Sequence, residues 1–441
     1  MEVIEAFLYS KELFERGRLQ ENFFIRNRVF SFHKVVLFII NLIRKSLQIE
    51  LLRFTKIGVA KEATKQAFSK ARRKLDPIIF VLMNHKLIQE FYTDNEIKTF
   101  RRFRVLAIDG STVQLPFSNE LVEHYGLAKN LFGGIPMARI STLYDVLNKV
   151  TIDSLIVPYK SSERDLAFEH IKNLLEINDN TNFNTSEIKD LFLFDRGYPS
   201  VKLLAMIHEN KKDFVVRCYP SFVNVVDNAI KSGKNDQIIE IAFSDLHKDT
   251  KRRLRKTFPN FDVNKSIKVR VLLFKLKSGK QEILLTSLLD QKKYLPIDFF
   301  NLYSQRWDTE ENYKFQKSIA AMENFSGKSK LTVEQDFFAT IFTCNIASLL
   351  MQEALDEIIE TFELKKYKYG YKINRNIGLS LLKDELIATI ISGKDLTIFC
   401  EKVKEHMKKN LVPIRPGRSV SRPPCSRNRN RKFPTNKRPG M

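Results

Sequence analysis

Apolar positions along the chain change their period near residues 101, 220 and 290, and each change marks a different kind of element. Up to about residue 98 the period is helical: Phe32, Val35, Val36, Ile39, Ile40 and Ile43 recur three and four residues apart, the spacing of one buried helix face. A second helix is expected over 61–83, with Ala63, Ala67, Phe68, Ala71 and Leu75 on one side and Lys65, Lys70, Arg72, Arg73 and Lys74 on the other. That basic side faces either water or DNA phosphates. Asp76-Pro77 closes or kinks the helix, because proline lacks an amide hydrogen and clashes with the preceding turn.

From residue 101 β-branched and aromatic runs take over. A strand over 102–108 ends at Asp109-Gly110-Ser111-Thr112, and strands follow near 138–145 and 150–159. Ser162 can cap a helix to about residue 176 that buries Leu166, Phe168, Ile171, Leu174 and Leu175. An Asn- and Thr-rich loop over 178–186 leads to the apolar strand 191–194, which stops at Asp195-Arg196-Gly197-Tyr198. A helix over 199–209 and a strand over 214–217 complete a mixed α/β layer. Between 220 and 290 the pattern reads as an all-β insertion, with strands at 238–243, 267–276 and 281–288 and a turn at Lys277-Ser278-Gly279-Lys280. A helix over 297–318 returns the chain to the α/β layer, and an apolar helix over 335–350 packs on the core. Further helices reach about residue 409, and from Arg415 onward the chain is basic, without an acidic residue. The expected organisation is a helical N-terminal DNA-binding or accessory domain (1–98), an α/β domain (99–350) carrying the insertion, a helical C-terminal region (351–410) and a disordered basic tail (411–441).

Composition narrows the partners. The 441 residues are 43% hydrophobic, which suits a globular chain, and the formal net charge of +23 favours a polyanion. The longest apolar run, Val35 to Ile40, breaks at Asn41, far short of the ~20 residues needed to cross a bilayer, so no membrane partner is expected. Glu2 and Glu5 give no signal-peptide pattern. Cys218, Cys344, Cys400 and Cys425 are widely spaced, which implies neither a zinc site nor a disulfide framework. A cytoplasmic, nucleic-acid-binding protein is expected.

The stretch from Tyr303 to Lys317 carries the candidate chemistry. On an ideal helix Tyr303, Arg306, Glu310 and Lys317 fall within roughly 60° of one another, and Lys314 joins them. One carboxylate thus stands among phosphate-binding groups, whereas a solvated helix face ordinarily pairs Glu with Lys four residues apart. Asp308 and Glu311 are turned away from Glu310 by about 160° and 100°. Trp307 is expected to pack in the core, and no residue is assigned to base flipping. If the strands ending at Asp109 and Asp195 are neighbours, their carboxylates meet, and a helix beside them adds Glu310. Three hard oxygen ligands suit Mg²⁺. Two such ions about 3.5–4 Å apart can activate a water or 3′-hydroxyl and stabilise the leaving oxygen.

These residues carry a specific resemblance. The spacing Tyr303, Arg306, Glu310, Lys317 is similar to the helical motif of IS4-family insertion-sequence transposases. Leu106-Ala107-Ile108-Asp109-Gly110-Ser111 and Phe194-Asp195-Arg196-Gly197-Tyr198 resemble that family's two Asp motifs. The insertion and the strand at 284–289 are similar as well, so the resemblance covers about residues 20 to 350. It implies an α/β, RNase H-like mixed sheet interrupted by the insertion. It also implies a catalytic domain over 99–350 in which Asp109, Asp195 and Glu310 hold two Mg²⁺ ions, for which Mn²⁺ can substitute. Tyr303, Arg306, Lys317 and Lys314 would grip DNA. The partners implied are double-stranded transposon ends and target DNA, engaged by a homodimer at the nucleoid. A two-metal nuclease without strand transfer and an inactive DNA-binding relative are the alternatives.

Overall fold

The strands at the centre of the protein are apolar on both faces because helices cover both. In the computed structural model, residues 1–26, 28–42, 46–56, 63–94, 96–180, 188–246, 248–257, 262, 264–276, 279–361 and 370–415 are described. The expected basic tail lies outside these residues from position 416, as do most of the 178–186 loop and half of the turn at 277–280.

Six helices open the chain: α1 (Glu2–Leu8), α2 (Lys11–Arg16), α3 (Phe32–Asn41), α4 (Leu47–Lys56), α5 (Lys65–Arg72) and α6 (Ile78–Asp94). Then come β1 (Phe103–Gln114), α7 (Asn119–Tyr125), β2 (Leu127–Asn130), β3 (Gly133–Asp145), β4 (Val150–Pro158), α8 (Glu163–Asn180), β5 (Lys189–Phe194), α9 (Val201–Glu209) and β6 (Asp213–Arg217). The segment between β6 and the motif helix holds α10 (Asn224–Lys231), β7 (Asp236–Ala242), α11 (Lys248–Thr257), β8 (Ser266–Lys275) and β9 (Gln281–Thr286). The remainder is α12 (Pro296–Ser304), α13 (Trp307–Lys314), α14 (Lys330–Thr361), β10 (Gly370–Ile373), α15 (Arg375–Ile391), α16 (Leu396–Lys408) and β11 (Leu411–Ile414).

One nine-stranded sheet runs β4-β3-β1-β5-β6-β9-β8-β7, with β2 paired to the start of β3. β1, β5 and β6 are parallel and the other pairings are antiparallel, giving the mixed sheet of an RNase H-like fold. Alternate residues face opposite layers. Leu106, Ile108, Phe192, Phe194 and Val216 pack with α8 and α9, while Val105, Ala107, Leu191, Leu193 and Val215 pack with Phe299 and Leu302 of α12. Parallel strands covered on both sides read as unbroken apolar runs, and each fully buried Leu or Phe contributes about 1.5–3 kcal/mol.

Four expectations need correction. The 220–290 segment is not all-β, because α10 and α11 lie within it, and it is not a separate sheet, because β9 pairs with β6 (Val215 with Thr286) and extends the central one. The single helix expected over 297–318 is α12, a tight turn, α13 and a π-helical turn at Phe315–Ile319. The expected tail begins as strand, since β11 pairs with β10. Arg72 faces neither water nor DNA: it is buried and bonds Gln335 (2.5 Å), Ser326 (2.5 Å), Asp336 (2.7 Å) and the Thr332 carbonyl (3.0 Å). The helices before β1 share one core with α14, α15 and α16. Among the described residues, α14 is the one helix long and apolar enough to cross a membrane, and most of that stretch is buried inside the protein.

Candidate active site

The register of the sheet brings the two aspartates together. The parallel ladder between β1 and β5 ends with Ala107 opposite Leu193. Asp109 and Asp195 each lie two residues further on, so both project to the α12 side. β5 stops at Phe194, but β1 runs on beside β3, with Asp109 opposite Thr142. Asp109 is therefore not at a strand end, as its Asp-Gly sequence suggests. It sits where β1 parts from β5, the kind of opening in an α/β sheet where functional groups gather.

α12 lies across this face through Phe299, Leu302 and Tyr303. The chain then tightens: Arg306 N–H donates to the Tyr303 carbonyl (3.1 Å), Asp308 to Gln305 (2.9 Å) and Thr309 to Arg306 (3.1 Å). This turn drops Arg306 into the gap. Its guanidinium lies 3.6 Å from Asp109 Oδ2, 4.0 Å from Asp195 Oδ2 and 3.7 Å from Glu310 Oε1. Its Nε is buried and has no hydrogen-bond partner. Three carboxylates from three elements thus converge on one buried cation.

Other groups fix the geometry. The Tyr303 hydroxyl donates to Asp195 Oδ1 at 3.4 Å. Asp109 accepts from the Gly110 N–H (2.9 Å) and the Thr309 hydroxyl (3.2 Å), and the Tyr313 hydroxyl donates to the Asp109 carbonyl (2.7 Å). Sequence reasoning passed over Thr309 and Tyr313, although they stand three and seven residues after Arg306 on the same helical face. Lys317 Nζ donates to Ser111 Oγ (2.6 Å) and the Thr112 carbonyl (2.7 Å), two and three residues beyond Asp109. It sits in the π turn, a feature that often marks functional sites.

The opposite face of α13 looks outward. Lys314 is exposed and pairs with Glu311, so it does not join the cluster, and Asp308 pairs with Lys149. Trp307 is not a core residue. It is 49% exposed, because the sheet-facing positions of this turn belong to Arg306, Thr309 and Tyr313. Its ring lies 5.5 Å from the Arg306 guanidinium.

Burial pushes the Asp109 carboxyl up to about 6, against the opposing pull of Arg306. Burial likewise raises Tyr303 and lowers Lys317. Among the described residues no three Asp, Glu, His or Cys side chains stand close enough to share an ion, since Asp109, Asp195 and Glu310 surround Arg306 instead. Their donor chemistry, three hard oxygens, nevertheless suits Mg²⁺. The 3.6–4.0 Å contacts exceed hydrogen-bond length, so the guanidinium is not hydrogen-bonded to these three carboxylates. The donor set fits a divalent cation once Arg306 turns aside.

A mixed sheet with two aspartates at its opening and a glutamate on an adjoining helix defines a class, the nucleic-acid-cleaving enzymes with an RNase H-like core. Residues 101–346, more than half of the chain, match the family described as Transposase DDE domain, and the chain belongs to that family. It is a DNA transposase, an enzyme of DNA phosphodiester cleavage and transesterification. A piggyBac transposase, solved as a synaptic complex with hairpin DNA, is similar over 95% of this chain and 84% of that one, at 12% identity and a TM-score of 0.46. No curated protein matches the chain.

Proposed function

We propose that the protein is an insertion-sequence transposase of the IS4 type, which binds the terminal inverted repeats of its element, pairs two ends as a homodimer, and cuts and joins them. The observation that carries this reading is the convergence of Asp109, Asp195 and Glu310 on Arg306. Two Mg²⁺ ions, or Mn²⁺, held by those carboxylates would supply Lewis-acid polarisation and a nucleophile at neutral pH. With a metal neutralising those carboxylates, the Arg306 guanidinium would be free to hold a phosphate beside the scissile bond as a two-pronged donor. Tyr303 donates its one hydroxyl hydrogen to Asp195 and would turn that donor to the same phosphate when DNA is bound. Lys317, braced on Ser111 and Thr112, holds the next phosphate along. Lys314, on the outward face, meets the duplex only after leaving Glu311. The net charge of +23 draws DNA in and makes binding salt-dependent. A cytoplasmic, nucleoid-bound location follows from this reading.

The test supplies linear DNA ends carrying the repeats, together with a supercoiled target plasmid and Mg²⁺. End strands covalently joined to the plasmid are expected. Cleavage with no joined product would leave a two-metal nuclease, and binding with no cleavage an inactive relative.

A further inference from the structure

The two glycines that follow Asp109 and Asp195 do not need left-handed backbone; neither has a positive φ. What Gly110 provides is space. A Cβ on Gly110 would lie 3.1 Å from Glu163 Cγ and 3.2 Å from its Oε1, and a Cβ on Gly197 would lie 3.9 Å from its Oε2. Glu163, in the first turn of α8, therefore extends its carboxylate between the Asp109-Gly110 and Asp195-Arg196-Gly197 segments. It reaches the opening of β1 and β5 from the α8 side of the sheet, opposite the side from which Glu310 comes. Its charge is met by Arg139 of β3, as the other three carboxylates are met by Arg306.

A second, independent feature points into the same space. Tyr198 is 1% exposed and its hydroxyl has no hydrogen-bond partner. The two charges that act on it most are those of Asp109 and Glu163. A buried hydroxyl left without a partner costs about 1–3 kcal/mol, so its retention between two acids implies a ligand that satisfies it. We infer that Glu163 is a fourth acidic ligand of the catalytic centre, which binds a divalent cation directly or through that cation's water, with the Tyr198 hydroxyl bonded to the same water. Gly110 is small so that the fourth carboxylate can enter, whereas a Cβ at Gly197 would only touch it. The inference rests on the proposed metal role of Asp109, Asp195 and Glu310.

The experiment titrates the full-length protein with Mn²⁺ and reads free ion by electron paramagnetic resonance, independently of DNA cleavage. Glu163→Gln should weaken Mn²⁺ binding about 10-fold or more, the size of effect seen when a group supporting a metal site is lost. Its metal-free thermal unfolding should match the parent, because Glu163 is partly exposed. Gly110→Ala should weaken binding in the parent and add nothing in the Glu163→Gln background, since the methyl group acts by displacing that carboxylate. Asp109→Asn serves as the reference. If Asp109→Asn weakens binding and Glu163→Gln does not, the fourth ligand is overturned while the three-acid centre stands. If both variants bind as the parent does, the three-acid reading itself fails.

Discussion

Arg104 and Arg306 are both buried arginines facing aspartates, yet they are held in different ways. Arg104 Nε and a terminal nitrogen lie 2.8 and 2.7 Å from Asp190 Oδ1, and Lys212 closes the other oxygen at 2.8 Å. Burial pushes the Asp190 carboxyl up, but Arg104 and Lys212 outweigh it and hold it below the usual range. Every partner there is close, and the group fastens β1 to β5 at the end of the sheet remote from the opening. Arg306 faces three carboxylates, and none is nearer than 3.6 Å. One of them, Asp109, has its pKa raised rather than lowered. Tight pairing in the first case makes a fixed strut. In the second, three carboxylates surround one loosely held cation, which is the arrangement the proposed metal role would use.

This contrast can be broken at several points, beginning with the largest effect. Asp109→Asn, Asp195→Asn or Glu310→Gln should slow strand cleavage about 10⁴-fold, equivalent to about 5.5 kcal/mol, with DNA-end binding nearly intact. Gel analysis of labelled ends checks both quantities. Arg104→Ala should cost about 3–5 kcal/mol of stability, because it leaves Lys212 alone against the buried Asp190 and empties the space between Tyr92 and Asn178, as measured by urea unfolding. Arg306→Ala should cost less, because Asp195 and Glu310 are partly open to water and Asp109 takes up a proton more readily than an ordinary carboxylate; equal losses would erase the distinction between the two sites.

The pH dependence follows from Asp109. Its folded pKa of about 6 exceeds its ordinary 3.8, so between about pH 4 and 6 the folded protein binds more protons than the unfolded chain. Without divalent ions, stability should therefore fall as pH rises through that window, by at most about 3 kcal/mol. Asp109→Asn should flatten this part of the profile. Smaller still, Arg306→Ala and Lys317→Ala should each reduce the slope of log affinity against log salt by about one unit. Lys314→Ala, which removes an exposed pair, should change stability by less than about 0.5 kcal/mol.

How much of this was legible follows from what each signal depends on. The strands carrying Asp109 and Asp195 show in sequence because burial on both faces demands unbroken apolar runs. The helical spacing from Tyr303 to Lys317 survives in space, although the segment is two helices and a π turn. No Gly or Pro marks the break at Gln305 and Arg306, so nothing local announces it. Trp307 was misplaced for the same reason: assigning its face requires knowing which positions the sheet claims. α10 was readable, since Val225, Val226, Ala229 and Ile230 recur with helical period, but the surrounding strand pattern masked it. Glu163 was invisible as chemistry. In sequence it is merely an acid in the first turn of a helix, and only the packing of α8 against Gly110 and Gly197 gives it a place.

The most direct test of the central claim is a sequencing-gel assay of Glu310→Gln on DNA carrying the element's end and flank, with Mg²⁺ and binding measured in parallel. The account predicts end binding within about twofold of the parent, the pattern of a group used in the transition state rather than in ground-state binding, and no cut at the junction between end and flank. Cutting at that junction at the parent's rate would show that the carboxylate held against Arg306 is not the third acid of the centre.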